Sequence, residues 1–149
     1  MKKKKKKRRG LWIVLIVLGV MAAGAASGFL IDAPGRREIM ELPIAAVDFR
    51  GLKDGTYAGY YDGGRSRMRA AKVRVTVASG AVSDIQVLEG AMDGEGELAE
   101  LSGGLTIDDL FRRVMDAQSL QVDTVTGATL TSKAHLKAVE DALSQAQKK

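Results

Sequence analysis

The chain has 149 residues, 23 Lys and Arg against 18 Asp and Glu, one histidine and no cysteine. That length permits one domain of ordinary size plus an appendage, and the composition excludes disulfides, thiolate catalysis, cysteine-based metal or iron–sulfur sites, a lipid-modified cysteine anchor and multi-histidine metal centres. The positive charge is a tail: Lys2 to Lys7 with Arg8 and Arg9 supply eight cations, and the remainder, 15 basic against 18 acidic residues, is close to −3. A nucleic-acid-binding fold carries its positive charge on a folded face, so nucleic acid is not expected as a partner.

Residues 1–10 read as a cytoplasmic polybasic tail. Leu11 to Ile31 then runs without a charged side chain, and about 20 apolar residues span a bilayer core as a helix. Positive residues stay inside and Trp12 sits where an interfacial aromatic belongs. One reading is a single membrane span. The other is a cleavable signal segment, since Ala23-Gly24-Ala25 has the small-x-small pattern of a cleavage site. Both place the remaining chain outside the cytoplasm.

Residues 32–52 hold both prolines, Pro34 and Pro43, and read as a linker, with a short helix allowed at Glu38 to Leu42. Ile39, Leu42, Ile44, Val47 and Phe49 suggest that part of it packs on the domain at 53–147. Lys53-Asp54-Gly55 turns into a strand at Thr56 to Tyr61, which Asp62-Gly63-Gly64 ends. Met68 to Ala78 is the clearest strand, with Val73, Val75 and Val77 alternating with Lys72, Arg74 and Thr76. Ser79-Gly80 is a tight turn into Val82 to Leu88, giving a three-stranded meander. Gly90 to Gly104 is an acidic, glycine-rich loop without the spacing of a calcium loop.

Thr106 to Ala117 reads as a helix capped by Thr106 with Asp109 three residues on. Ile107, Leu110, Phe111, Val114 and Met115 form its apolar stripe. A last helix follows Thr131 or Ser132 as cap and runs to about Ala146. The expected fold is α+β: a small antiparallel sheet packed by helices, preceded by one N-terminal transmembrane helix.

Between the two helices lies Asp123-Thr124-Val125-Thr126-Gly127-Ala128-Thr129-Leu130-Thr131-Ser132. A glycine turn opening a helix presents free N–H groups and the positive end of a dipole, a setting that suits an anion such as a phosphate. Asp123, Thr126, Gly127, Ala128 and Thr129 match Asp-x-x-[Ser/Thr]-Gly-Ala-Thr, and the stretch resembles the flavinylation motif of the FMN-binding domain family. Asp54-Gly55-Thr56-Tyr57, Gly63-Gly64 and the order of elements resemble that family too.

The resemblance implies FMN held covalently, its phosphate esterified to the hydroxyl of Thr129. A flavin transferase would supply it from FAD with a divalent metal, releasing AMP, and would read Asp123, Gly127, Ala128 and Thr129. The cofactor-binding set it implies is Thr126, Gly127, Ala128, Thr129 and Thr131, the two flanking threonines offering hydroxyls to the phosphate. No catalytic residue and no metal site is expected. Gly63-Gly64, the Arg65 to Arg69 segment and the acidic loop are the expected walls around the flavin. Arg65, Arg67 and Arg69 read as a basic solvent-facing edge before they read as flavin contacts, and Tyr57, Tyr60 and Tyr61 as packing residues before ring-stacking ones. His135 reads as solvent-facing or locally hydrogen-bonded.

The function this implies is a membrane-tethered extracytoplasmic carrier of electrons rather than a stand-alone enzyme. Its partners would be the transferase and membrane redox carriers or other electron-transfer proteins. It is similar to the FMN-carrying subunits of Rnf and sodium-pumping quinone reductase complexes, and to freestanding FMN-binding domains. A second reading is a binding or regulatory module that holds flavin noncovalently or not at all. A reductase using NAD(P)H is disfavoured, because no Gly-x-Gly-x-x-Gly follows a strand.

Overall fold

The computed structural model describes residues 4–147, with the side chains of 12–23, 33–65 and 67–147. The elements run α1 (Lys4–Met40), β1 (Gly55–Tyr61), a 3-10 turn (Gly64–Ser66), β2 (Ala71–Ala78), β3 (Ala81–Glu89), α2 (Ile107–Ala117) and α3 (Thr129–Ala146). Two compact units divide the chain, Met1–Pro34 and Gly35–Lys149. In the first, the large apolar side chains from Trp12 to Met21 are exposed. Among the described residues no helix is long and apolar enough to cross a membrane. The expected span at 11–31 lies partly outside the residues whose side chains are described.

The second unit is the α+β domain: a three-stranded antiparallel sheet, order β1-β2-β3, with helices packed on it. In β2 the valines at 73, 75 and 77 are buried and the residues between them are not, as a strand with one solvated face requires. Ser79 and Gly80 both have positive φ, 54° and 76°, the pairing of a type I′ hairpin whose twist matches its strands. Asp54 Oδ1 accepts the Gly80 N–H at 2.7 Å, tying the entry of β1 to that turn.

The strand expected from Met68 begins instead at Ala71. The 3-10 turn and Arg67, in left-handed conformation at φ 51°, take up residues 64–70 before the chain can pair. Part of the linker expected at 32–52 packs on the domain, as its apolar residues suggest. Helix α1 passes through Pro34 to Met40, and Ile39, Phe49 and Leu52 are buried. Lys133 Nζ donates to the Met40 carbonyl, Ala45 N–H donates to Glu140 Oε2 at 3.0 Å, and Gln121 Nε2 donates to the Ile44 carbonyl. Polar side chains of α3, with Gln121 from the segment before it, thus hold the end of α1 and the strap that follows it.

Helix α3 packs directly on β1. A Cβ at Gly59 would stand 1.9 Å from the Ala138 carbonyl oxygen, so only glycine admits this approach. The outward edge of β1 is satisfied by α3 side chains: Tyr60 N–H donates to Asp141 Oδ2 at 3.0 Å and Gln145 Nε2 donates to the Ala58 carbonyl at 2.9 Å. An edge strand left bare would be a template for pairing with another chain; here a helix covers it. Lys53 N–H also donates to the Ala146 carbonyl at 2.8 Å, closing the last turn of α3 onto the start of β1. These contacts fix the C-terminal half of α3 on β1.

Candidate functional site

Helix α2 begins as its residues dictate. Thr106 is the N-cap and Asp109 Oδ2 accepts the Thr106 N–H at 2.8 Å. That hydrogen bond, and next the Arg112 side chain, hold the Asp109 carboxyl below its ordinary 3.8. Arg113, one turn on, donates from Nη1 to the Asp123 carbonyl at 2.8 Å. The helix therefore anchors the stretch of chain that enters the motif.

The motif itself is a turn followed directly by α3. Ala128 N–H donates to the Val125 carbonyl at 2.9 Å, and Gly127 has φ 82°, the left-handed value the third position of a type II turn needs. A Cβ on Gly127 would also meet Ser102 Oγ at 3.0 Å. The Leu101–Leu105 hairpin, closed by a 2.8 Å bond from Leu101 N–H to the Leu105 carbonyl, thus lies against the glycine.

The cap of α3 is not Thr131 or Ser132. The helix starts at Thr129 with Ala128 as N-cap, and alanine has no side-chain acceptor. Ser132 faces inward instead, fully buried, its Oγ accepting the Val125 N–H at 3.1 Å. The first intrahelical bond is Ser132 N–H to the Ala128 carbonyl. Among the described residues none accepts from the N–H groups of Thr129, Leu130 or Thr131. These three donors and the positive end of an 18-residue helix face no protein acceptor among the described residues, a setting that suits an anion.

Asp123, Thr126 and Gly127 are not equally placed with the rest of the motif: Thr126 and Gly127 are exposed, as is Asp123, while Ala128, Thr129 and Thr131 are half-buried. Two depressions flank them. One is an open cleft of about 960 Å³ bordered by Arg113, Asp116, Asp123, Thr124 and Thr126. The other is a smaller cavity of about 310 Å³ walled by Met68, Ala70, Ala91, Met92, Leu101 and Ala134. Thr131, Arg69 and His135 supply its polar groups. Thr126 and Thr131 consequently line different depressions and do not converge on one. Of the expected walls, the end of the arginine segment and the loop after β3 border the cavity, and Gly63-Gly64 does not. Tyr57, Tyr60 and Tyr61 line neither depression. Tyr57 instead donates from its hydroxyl to the Lys53 carbonyl at 3.0 Å.

His135 carries more than its sequence position suggests. It is 2 % exposed, not solvent-facing, and Nδ1 lies 2.8 Å from the Thr131 carbonyl. Because a carbonyl only accepts, Nδ1 bears the proton and Nε2 is an acceptor. Nε2 has no partner. Burial pushes the ring below its ordinary 6.5, against the smaller opposing pulls of the Thr131 and Glu89 main chains. The Glu89 main chain does not complete a hydrogen bond to Nε2. The place of His135 four residues after Thr131, on the face that carries Ala134 and Ala138, is the one sequence signal for this burial.

The fold and site together define a small α+β domain that presents an uncapped helix start, reached through a left-handed glycine, beside a small cavity of mixed polar and apolar lining. The family pattern of the FMN-binding domain matches residues 69–144, and the chain belongs to that family. The match begins after Asp54-Gly55-Thr56-Tyr57 and Gly63-Gly64, so the resemblance of those residues lies outside it. No curated protein and no solved structure matches the chain.

Proposed function

We propose that Thr129 carries FMN through a phosphoester to its hydroxyl, and that the domain works as an electron carrier tethered at the outer face of a membrane by residues 11–31. The observation that carries this reading is the coincidence of the motif with a helix start that has no cap of its own. The flavin phosphate supplies the missing acceptor to the N–H groups of Thr129, Leu130 and Thr131. Gly127 keeps the backbone clear for its approach, Ala128 keeps the next position small, and the Thr126 and Thr131 hydroxyls stand on either side.

Thr129 has no basic group adjacent in sequence, so the ester is made by a separate transferase. The hydroxyl attacks the phosphorus of the FMN half of FAD, the pyrophosphate bond breaks and AMP leaves, with a divalent metal supplied by that enzyme. The exposure of Asp123 on the open cleft supports its being read by that enzyme. Once bound, FMN supplies the redox chemistry, and the chain supplies position and environment. A covalent link makes flavin occupancy independent of external supply, which matters outside a cell.

Tethering is supported by the uncharged run from Leu11 to Ile31 behind eight cations, and the orientation by the positive-inside rule. Intact mass of the chain coexpressed with a flavin transferase tests the proposal. The expected gain is about 440 Da, one FMN less one water, carried as a cofactor on the protein. Thr129→Ala abolishes it. An unmodified chain in the presence of active transferase refutes the reading.

A further inference from the structure

Resting on the reading of residues 11–31 as a membrane anchor, we infer that the loop between β1 and β2, residues 62–70, is a lipid-docking surface that seats the domain on anionic headgroups of the bilayer holding the anchor. The loop is a basic island. Beyond the N-terminal tail the chain carries 15 basic and 18 acidic residues, yet this loop sets Arg65, Arg67 and Arg69 against one carboxylate, Asp62. That carboxylate is turned to its own backbone, Oδ1 accepting the Gly64 N–H at 2.9 Å. Arg65 and Arg67 are exposed, and between Arg67 and Arg69 stands Met68, 78 % exposed. An apolar side chain left in solvent and flanked by guanidinium groups has the chemistry of a bilayer interface. The thioether suits the acyl boundary, and the arginines suit the phosphates above it.

The loop is held in shape. Gly63 has φ 80°, and a Cβ there would stand 2.8 Å from the Ala70 nitrogen, so the two ends of the loop are pinched together. Arg67 has φ 51°; glycine would meet that turn more easily, and here it carries a guanidinium instead. The covalent chain limits where the loop can go. Glu38 Oε2 accepts the Arg65 N–H at 3.3 Å, and a Cβ at Gly64 would meet Glu38 Oε1 at 2.9 Å, so the loop rests on residue 38. Ile39 beside it is fully buried in the domain. Glu38 follows Ile31, the end of the uncharged run, by seven residues. Such a segment reaches about 10 Å as a helix and about 24 Å at full extension, against a headgroup layer about 5–8 Å thick. The loop is therefore confined to the neighbourhood of the bilayer that holds the anchor. A domain whose remaining charge is negative is attracted to an anionic surface through this loop and repelled elsewhere, which gives it one orientation.

The full chain has no cysteine, so a single introduced cysteine can carry a fluorescent probe. Met68→Cys is compared with Gly94→Cys, where a Cβ meets nothing within 4 Å. Both labelled full chains are placed in nanodiscs of brominated phosphatidylcholine, with or without phosphatidylglycerol. With phosphatidylglycerol, the probe at 68 is expected to be quenched about fivefold more than the probe at 94, the factor that one basic residue near an anionic surface supplies. That excess disappears in phosphatidylcholine alone and in the Arg65→Gln/Arg67→Gln chain. Arg67→Gln by itself gives a smaller loss, should the double variant fail to fold. Equal quenching at 68 and 94 with phosphatidylglycerol, or an excess that these variants keep, overturns the lipid assignment alone. A probe at 68 that ignores lipid but is shielded from aqueous iodide by polyglutamate overturns it in favour of an acidic protein partner. A chain that elutes apart from the discs in high salt overturns the reading of residues 11–31 as an anchor, and this inference with it.

Discussion

Gly59→Ala should be among the most damaging single-methyl additions in the domain. The added Cβ would lie 1.9 Å from the Ala138 carbonyl oxygen, 2.6 Å from the Ala142 nitrogen and 2.8 Å from the Ala142 Cβ. Ordinary contact begins near 3.4 Å, so β1 and α3 must separate by about 1.5 Å. Two of the three clashing atoms are helix backbone and cannot rotate away. Overpacking typically costs about 1–3 kcal/mol and occasionally more; the rigidity of this contact places it near the upper end. Separation also strains the Tyr60–Asp141 and Gln145–Ala58 hydrogen bonds that cover the edge of β1. For a domain of this size about 3 kcal/mol corresponds to a fall in Tm of about 12–24 °C. The assay is thermal unfolding of the full chain in detergent, followed by circular dichroism. Gly94→Ala is the control, since nothing lies within 4 Å of a Cβ there and the change should stay within about 0.5 kcal/mol. A Gly59→Ala protein that melts within two or three degrees of that control, by the same scale of about 4–8 °C per kcal/mol, would show that α3 does not sit on β1 in this way.

Ser132→Ala leaves the buried Val125 N–H without its acceptor, which should cost about 1–3 kcal/mol and lower the yield of flavinylated chain in a coexpression assay, because the turn before Thr129 loses its anchor. His135 has a folded pKa below 6.5 because of burial, so the folded state binds fewer protons than the unfolded state. Its contribution is present above pH 6.5 and is lost as pH falls below it; replacing it with Leu should flatten that part of a Tm-against-pH profile, and an unchanged slope would refute the burial. Asp109→Ala should lower Tm at neutral pH, with the gap to the parent closing as pH falls through the depressed carboxyl value, below 3.8.

Two local signals in this chain are legible in residue order. The Val73-Val75-Val77 alternation places one face of β2 in the core, and Thr106 with Asp109 places the start of α2 to the residue. Both depend on neighbours two to four positions away. The motif at 123–132 is equally plain as a pattern, but the start of its helix is not. Hydroxyl residues are good caps, and nothing local says that Ser132 spends its oxygen on Val125 while Ala128 takes the cap position.

What residue order determined by itself was the α+β class, the meander and the glycine turn that opens α3, because hydrogen bonding and side-chain alternation over a few residues suffice for these. Tertiary structure alone decided that α1 runs through Pro34 to Met40, that His135 is buried with one nitrogen unmet, and that Met68, Ala91 and Leu101 meet around one cavity. Those outcomes depend on which distant surfaces close on each other, and burial, unlike helical or strand period, is a property of the closed fold and not of any stretch within it.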